Sequence, residues 1–173
     1  MHRFFANKEN ILSDSVILHG SDASHIRTVL RLQVGDKIQV LDGEGSLYLV
    51  QLVEVKNNSI KGEIISSEKV DNESPLKINL GQSLIKGNKF DTVLRKSVEL
   101  GVHSITPLIT ERTVTKTDGD KKIIRWKRIA EESSKQCGRS CIPKISENIM
   151  KLDSFCQQSS ESDLKLIFWE LED

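Results

Sequence analysis

Hydrophobic and polar residues alternate along the first 70 residues in a pattern typical of short β-strands. Three such runs are Lys37–Leu41, Ser46–Val55 and Ser59–Ile65, and the turn-forming sequences DGEG and KNN separate them. Antiparallel strands that are this short and this closely spaced favour a small barrel. The first 70 residues are therefore predicted to form a β-barrel domain.

One segment before these strands has a helical pattern. The sequence SDASHIRTVLR follows the apolar run VILHG, and either Ser21 or Asp22 could cap a helix at its start. The 3.6-residue period would place Ile26, Val29 and Leu30 on one side of that helix. A short helix with one apolar side is therefore predicted.

The pattern changes after a polar stretch, SSEKVDNESP, which contains a proline and has no apolar periodicity. We place a linker at residues 71–75, between a first domain at residues 1–70 and a second at residues 76–173. Strands and helices alternate in the second domain, which predicts a parallel sheet with helices on its faces. The predicted strands are Leu76–Leu80, Ile105–Ile109 and Leu164–Trp169, and the predicted helices are Lys89–Leu100, Lys121–Cys137 and about Leu152–Gln157.

The last predicted strand is followed at once by the end of the sequence, LKLIFWELED. An apolar strand in a parallel sheet needs neighbouring strands and a covering helix. We therefore expect the second domain to be incomplete within these 173 residues.

Composition narrows the class of protein. The chain is 37% hydrophobic and 29% charged, which is ordinary for a globular protein. No apolar run approaches the roughly 18 residues of a membrane span, and the amino terminus has no apolar signal core. Three cysteines cannot form a full disulfide framework. These features predict a cytoplasmic location and no membrane partner.

Positive charge is concentrated in the second domain. From Arg112 to Lys144 there are ten basic residues and four acidic ones. Such a stretch can bind phosphate groups, or it can be the solvated face of a helix. The charge count leaves both interpretations open.

Motifs for other kinds of chemistry are missing. No glycine-rich phosphate loop is present, which argues against a nucleotide-dependent enzyme for small molecules. Cys137 and Cys141 are four residues apart, but Gly138 and Pro143 interrupt any helix that could present both to a metal. No histidine can be paired with a cysteine nucleophile from the sequence alone. Neither a metal site nor a hydrolytic triad is predicted.

Cations recur at the ends of predicted elements. The sequence KSVELGVHSITPLITERTVTK ends a buried strand on Glu111 and Arg112, and the carboxyl ends of parallel strands often form binding sites. Taken singly, each cation could be an ordinary surface charge or half of a local ion pair. The other candidates are Arg27 and Arg31 with His25 nearby, Lys86, Lys89 and Arg139.

Three blocks of the sequence resemble a known family. These are HIRTVLRLQVGDKIQVLDGEG, KGNKFDTVLRKSVELGVHSITPLITERTV and RWKRIAEESSKQCGRSCIPKI. In this order they are similar to the ribosomal RNA small subunit methyltransferase E family. Its members are SPOUT-class enzymes that use S-adenosylmethionine to methylate N3 of a uridine in 16S rRNA.

The resemblance implies an architecture and partners. It implies an α+β two-domain fold, with an amino-terminal PUA-like barrel followed by an α/β SPOUT methyltransferase domain of the trefoil-knot type. It also implies a homodimer for the full-length protein, 16S rRNA of the small ribosomal subunit as partner, S-adenosylmethionine as methyl donor and no metal.

Site residues follow from the same resemblance. It implies that Arg139 stabilises the uridine anion once the N3 proton has left, and that Glu170 lies toward the cofactor. The residues implied to hold RNA are Arg3, His25, Arg27, Arg31, Lys86, Lys89 and Arg112.

The sequence also departs from the family. It lacks the Gly-Pro-Glu-Gly-Gly loop and the Leu-Gly-x-Arg-Ile-Leu-Arg segment, which tie the knot and form most of the cofactor pocket in the family. Two hypotheses remain. Either this is a member of the methyltransferase family whose 173-residue chain is inactive alone, or it is a non-catalytic RNA-binding remnant.

Overall fold

The structure, a computed structural model, describes residues 1–70, 72–113 and 119–168. Five strands of the first part form one sheet in the order β1-β3-β4-β5-β2, in which only β1 and β3 are parallel. The predicted bounds of β3 and β4 are confirmed, whereas β5 continues beyond Ile65. The strands are β1 (Arg3–Phe5), β2 (Ser15–His19), β3 (Lys37–Leu41), β4 (Ser46–Val55) and β5 (Ser59–Lys69).

This sheet curls around one apolar core. Two shifts of register between β4 and β5 bend the long strands, as bulges do in small barrels. At Gly62 a Cβ atom would lie only 2.3 Å from Val50 Cγ1, so glycine lets β5 approach β4 closely. The main buried side chains of the core are Phe4, Val16, Leu18, Ile26, Ile38, Val40, Val50, Leu52 and Ile60.

The predicted helix is present but has a different form. It consists of α1 (Gly20–Ser24) and a π-helical turn (His25–Val29), and it begins before the predicted caps. Ile26 is buried but Val29 is 68% exposed, so the prediction that both lie on one side of the helix is wrong. The backbone N–H of Leu30 donates to the carbonyl oxygen of His25, five residues earlier. This wider turn breaks the 3.6-residue period on which the prediction for Val29 depended.

The second sheet is parallel, as predicted. Its central strand β7 (Ser104–Ile109) pairs with β6 (Asn79–Ser83), β8 (Lys144–Ile145) and β9 (Met150–Lys151). Leu76 and Ile78 are exposed, so β6 begins later than the predicted strand at Leu76.

Within the described residues, three helices cover this sheet. They are α2 (Lys89–Glu99), α3 (Gly119–Cys137) and α4 (Leu152–Gln158), and all three were predicted to within a few residues. The core between α2, α3 and the sheet contains Leu94 and Ile105, and the Phe90 and Trp126 rings lie 4.4 Å apart. On the other face, Phe155 of α4 lies over β6.

The predicted strand at Leu164–Trp169 is not observed. Residues 164–168 contain no strand, and their apolar side chains are exposed, with Phe168 at 93%. Trp169 lies outside the described residues. A strand is stable only when it pairs with neighbours, and residues 164–168 pair with none of the described strands.

The two sheets meet at a small junction. Phe5, Leu41 and Leu47 of the barrel pack against Val70 and Ile142. Polar contacts continue the junction, including an ion pair between Lys135 of α3 and Asp22 of α1 with an N–O distance of 3.2 Å. The predicted domain limits at residues 70 and 76 are consistent with this arrangement and stay predictions.

Candidate functional site

The carboxyl ends of β6 and β7 and the beginning of α2 lie at the same edge of the parallel sheet. The backbone N–H of Leu84 donates to the carbonyl oxygen of Leu108 at 2.9 Å, which continues the strand pairing into the loop after β6. This loop leads to Lys86 and Lys89, whose side chains are both exposed. Two of the predicted cations therefore lie together at this edge, which we call the carboxyl edge.

Arg112 lies at the same edge, in a tight turn after β7. The hydroxyl of Thr113 accepts a hydrogen bond from the backbone N–H of Thr110 at 2.9 Å, and the N–H of Thr113 donates to the carbonyl oxygen of Thr110 at 3.0 Å. These bonds fix the turn while Glu111 and Arg112 remain exposed. Arg112 therefore follows β7 at the same edge of the sheet as Lys86 and Lys89.

A concavity of about 80 Å³ opens between the loop after β6 and the first half of α3. Arg125 donates to the carboxylate of Asp91 at 2.5 Å, and Asp91 itself is buried. Lys122 also lines the concavity. Sequence reasoning missed Lys122 and Arg125 as site residues, although their three-residue spacing beside the apolar Ile123 and Trp126 places them on one side of α3.

The remaining residues predicted to hold RNA lie on the barrel. Arg27 and Arg31 are exposed at the π-helical turn, and Arg31 has a positive φ of 55°, an uncommon conformation for a residue other than glycine. The His25 ring packs edge-on against Phe4 with centroids 6.2 Å apart. Arg3 donates from Nε to Gln39 Oε1 at 3.1 Å and from Nη1 to the carbonyl oxygen of Gly138 at 3.3 Å.

The barrel cations and the carboxyl-edge cations are far apart. Arg125 lies beside the carboxyl edge, whereas Gly138, just beyond the other end of α3, contacts Arg3 of the barrel. Between Arg125 and Gly138 the helix rises about 20 Å, at roughly 1.5 Å per residue. The predicted residues therefore form two groups that no single small ligand could touch, whereas an extended polyanion could contact both.

Arg139 has a different environment from the other candidates. It is 9% exposed, and its Nη2 donates to Glu73 Oε2 at 2.6 Å. Its Nη1 donates to the carbonyl oxygens of Val98 and Val102 at 3.2 and 2.9 Å. The catalytic role of Arg139 stays a prediction, and this geometry does not support it, because the guanidinium points into the protein and faces a carboxylate. Glu170, the predicted cofactor-side residue, lies outside the described residues.

The carboxylate of Glu73 is held in its charged form. Partial burial by itself would raise the pKa of Glu73, but hydrogen bonds from Arg139 and from the Cys141 N–H outweigh this, together with the charge of Arg139. The net effect lowers the pKa of Glu73 below its ordinary value. Conversely, burial and the charge of Glu73 raise the pKa of the Cys141 thiol, which makes Cys141 a poor nucleophile.

Within residues 1–70, 72–113 and 119–168, no three histidine, cysteine or acidic side chains come together in a way that could hold a metal ion. None of the helices in the described part of the chain is long and apolar enough to cross a bilayer.

Family models match both parts of the chain. Residues 72–173 match the model of the RNA methyltransferase domain, and residues 18–65 match the model of the RNA methyltransferase PUA domain. Among curated proteins, the ribosomal RNA small subunit methyltransferase E of Mesomycoplasma hyopneumoniae is 36% identical over 98% of this chain and 72% of its own length. The same-named protein of Buchnera aphidicola (Acyrthosiphon pisum) is 29% identical over 96% of this chain and 66% of its own length.

Solved structures show the same fold. A methyltransferase from Legionella pneumophila with bound S-adenosylmethionine has a TM-score of 0.84 and 34% identity, over 95% of this chain and 68% of its own. A ribosomal RNA small subunit methyltransferase E from Neisseria gonorrhoeae, bound to S-adenosylmethionine, has a TM-score of 0.81 and 33% identity, over 91% and 66%. This chain thus spans about two-thirds of the length of these relatives. It belongs to the ribosomal RNA small subunit methyltransferase E family of RNA methyltransferases, with a PUA-like barrel followed by a SPOUT methyltransferase fold.

Proposed function

We propose that this protein takes part in the methylation of N3 of a uridine in 16S rRNA, with S-adenosylmethionine as methyl donor. The observation that carries the proposal is the cluster of exposed cations at the carboxyl edge, in a chain of this family. Solved relatives from Legionella pneumophila and Neisseria gonorrhoeae hold S-adenosylmethionine, which supports the choice of donor. Action on the small ribosomal subunit would place the protein in the cytoplasm.

The described residues are best suited to holding RNA. Lys86, Lys89 and Arg112 are exposed at one edge, and Arg27 and Arg31 are exposed at the other group. Exposed cations of this kind contact phosphates and set the position of an RNA, while the target base is read through its edges after it has left its stack. We therefore assign RNA positioning to both cation groups.

The concavity at the carboxyl edge is too small to enclose the cofactor by itself. The concavity at the carboxyl edge measures about 80 Å³, whereas pockets for small-molecule ligands usually measure roughly 300–1,000 Å³. No step of methyl transfer is therefore assigned to a described residue. RNA binding without catalysis stays the second candidate function, and the exposed cations of both groups would be sufficient for it.

A homodimer would be consistent with the separation of the two cation groups. Within one chain they lie at opposite ends of α3. In a dimer, the barrel of one protomer could approach the carboxyl edge of its partner and shorten the path of the RNA. Light scattering of the purified protein would decide this, since a monomer at micromolar concentration would contradict the dimer.

Methyl transfer is the direct test of the proposed function. Small subunits that lack the modification would be incubated with the protein and methyl-labelled S-adenosylmethionine, and nucleosides would be analysed by mass spectrometry. Appearance of N3-methyluridine supports the methyltransferase, whereas its absence together with retained rRNA binding supports the non-catalytic alternative. Absence of both would refute the proposed function.

Salt dependence tests the RNA interface separately. Replacing Lys86 and Lys89 by glutamine should remove two phosphate contacts. The slope of log K for RNA association against log salt concentration should then become less negative by about 1.4–1.8. The matched control is Lys61→Gln on β5, an exposed lysine of the barrel outside both cation groups, which should leave the slope unchanged. Equal effects of the two changes would contradict the placement of RNA at the carboxyl edge.

A further inference from the structure

A polar cluster joins the linker to the loop after α3. The Glu73 carboxylate accepts from Arg139 Nε and Nη2, with distances of 3.0 and 2.6 Å to Oε2. The backbone N–H of Cys141 donates to Glu73 Oε1 at 3.1 Å. Beside it, the Asn72 amide donates to the carbonyl oxygen of Gly138 at 2.9 Å, and the Ser140 hydroxyl lies 2.6 Å from Asn72 Oδ1. We call the Glu73–Arg139 pair and these neighbours the clasp.

One side of the clasp is fixed to the parallel-sheet domain. Arg139 Nη1 donates to the carbonyl oxygens of Val98 and Val102, at and just beyond the end of α2. The Val98 carbonyl also accepts from the backbone N–H of Gly101 at 3.0 Å, so the guanidinium adds a second donor at this helix end. Arg139 therefore ties the end of α2 to the linker through one rigid planar group.

The other side of the clasp is fixed to the barrel. Cys141 forms β-bridges with Gly43 and Glu44, in the hairpin between β3 and β4, and the N–H of Ile142 donates to the carbonyl oxygen of Gly43 at 3.1 Å. The Asp42 carboxylate holds that hairpin by accepting from the N–H groups of Glu44 and Ser46 at 2.8 and 2.9 Å. The loop that carries Arg139 thus contacts both domains at once.

The clasp lies at a junction with few apolar contacts. The apolar part consists of Phe5, Leu41 and Leu47 against Val70 and Ile142. Domains joined by small interfaces generally move relative to each other unless something fixes them. The Glu73–Arg139 pair is mostly buried, and its forked hydrogen bonds hold the two side chains together strongly and in one orientation. Without it, the linker would be held to the loop mainly by Asn72.

We propose that the Glu73–Arg139 clasp is a positioning element that fixes the barrel relative to the parallel sheet, so that one RNA can contact both cation groups. The part of this inference that concerns RNA rests on the proposed function. Neither residue would touch the RNA, since Arg139 is buried and directed at Glu73 and at two carbonyl oxygens. Fixing the two groups in one geometry raises the effective concentration of the second contact once the first has formed.

The relative position of the barrel and the parallel sheet can be measured without RNA. Spin labels would be attached at Lys61→Cys on β5 and Ser154→Cys on α4, with the three native cysteines replaced by serine, and the label–label distance would be measured by pulsed electron paramagnetic resonance. We expect a narrow distribution for this background and a broad or shifted one after Glu73→Ala. The matched control is Glu99→Ala, which removes an exposed pair with Lys96 on α2 and should leave the distribution narrow.

The functional half is measured as rRNA affinity. At a temperature where circular dichroism shows both proteins folded, Glu73→Ala should weaken binding about tenfold, with the salt slope unchanged because no phosphate contact is lost. Glu73→Gln retains an acceptor for Arg139 and should recover part of the affinity. If Glu73→Ala does not fold, Arg139→Lys takes its place, since it keeps the charge and loses the fork.

The distance measurement and the rRNA affinity have separate consequences. An unchanged distance distribution would overturn the inference outright. A broadened distribution with unchanged rRNA affinity would overturn its functional half, and a lower salt slope would mean that the clasp touches RNA. If the unsubstituted protein binds no rRNA, the proposed function fails, while the distance measurement still decides whether the clasp fixes the domains.

Discussion

Replacing Gly81 by alanine should test how α4 is held on the parallel sheet. Gly81 lies in β6, directly beneath the Phe155 ring. A Cβ atom built there would be 2.5 Å from Phe155 Cε1, 2.8 Å from Phe155 Cδ1 and 2.9 Å from Leu108 Cδ1. Carbon atoms normally pack at about 3.5–4.0 Å, so the ring would have to retreat by about 1 Å.

The size of the effect follows from what can move. None of the residues of α4 is buried, so the helix can shift more easily than the strand beneath it. Overpacking in a core usually costs about 1–3 kcal/mol, and alanine recovers roughly 0.5–1 kcal/mol of backbone entropy relative to glycine in a strand. We expect Gly81→Ala to lower the free energy of unfolding by about 1–2 kcal/mol.

A double-mutant cycle measured by urea denaturation would check this explanation. In a Phe155→Ala background the main clash is gone, so Gly81→Ala should cost about 1 kcal/mol less than in the unsubstituted protein. The matched control is Gly119→Ala, where the nearest atom to the new Cβ is 3.8 Å away and stability should not fall. A coupling energy below about 0.3 kcal/mol would refute the proposed contact between α4 and β6.

Three further changes test the barrel and the clasp. Gly62→Ala should destabilise the barrel by about 2–3 kcal/mol, because its Cβ would meet Val50 and a nearby backbone oxygen. A thermal unfolding midpoint equal to that of the unsubstituted protein would contradict that packing. Arg139→Ala should lower the free energy of unfolding, measured by urea denaturation, by about 2–4 kcal/mol, since it leaves Glu73 without its main partner. The control Arg128→Ala removes an exposed ion pair and should change the same quantity by less than about 0.5 kcal/mol. Because the pKa of Glu73 is lowered in the folded protein, its contribution to stability is present above the ordinary pKa of 4.5 and is lost as the pH falls through the lower folded value. In acid titrations, the stability difference between the unsubstituted protein and Glu73→Gln should therefore shrink below about pH 4.5. A constant difference would contradict the charged pair.

Local patterns in the sequence were enough to predict most of the elements. The alternation in Lys37–Leu41 and Ser46–Val55, with glycine- and asparagine-rich turns between strands, gave the bounds of β3 and β4. The helical spacing of Phe90, Leu94 and Val98 gave α2 in the same way. These elements were predictable because each depends on side chains a few residues apart.

The predictions from sequence were wrong where the backbone departed from a regular helical period or where an apolar segment had no neighbouring strand to pair with. Val29 ends a π-helical turn, which the 3.6-residue period cannot anticipate. Residues 164–168 have the composition of a strand, but a strand exists only through its neighbours, and none of the described strands pairs with them. Composition reports the preference of a segment, whereas pairing is a property of the whole fold.

The sequence by itself determined which residues carry positive charge and that several stand at the ends of strands and helices, including Arg112 after β7 and Lys89 at the start of α2. Tertiary structure alone decided which of these cations face solvent. Arg139 resembled the others in the sequence, yet it is buried against Glu73, 66 positions away, because the linker folds back onto the loop after α3. Charge is a local property of a residue, whereas the partner that neutralises it depends on contacts between distant parts of the chain.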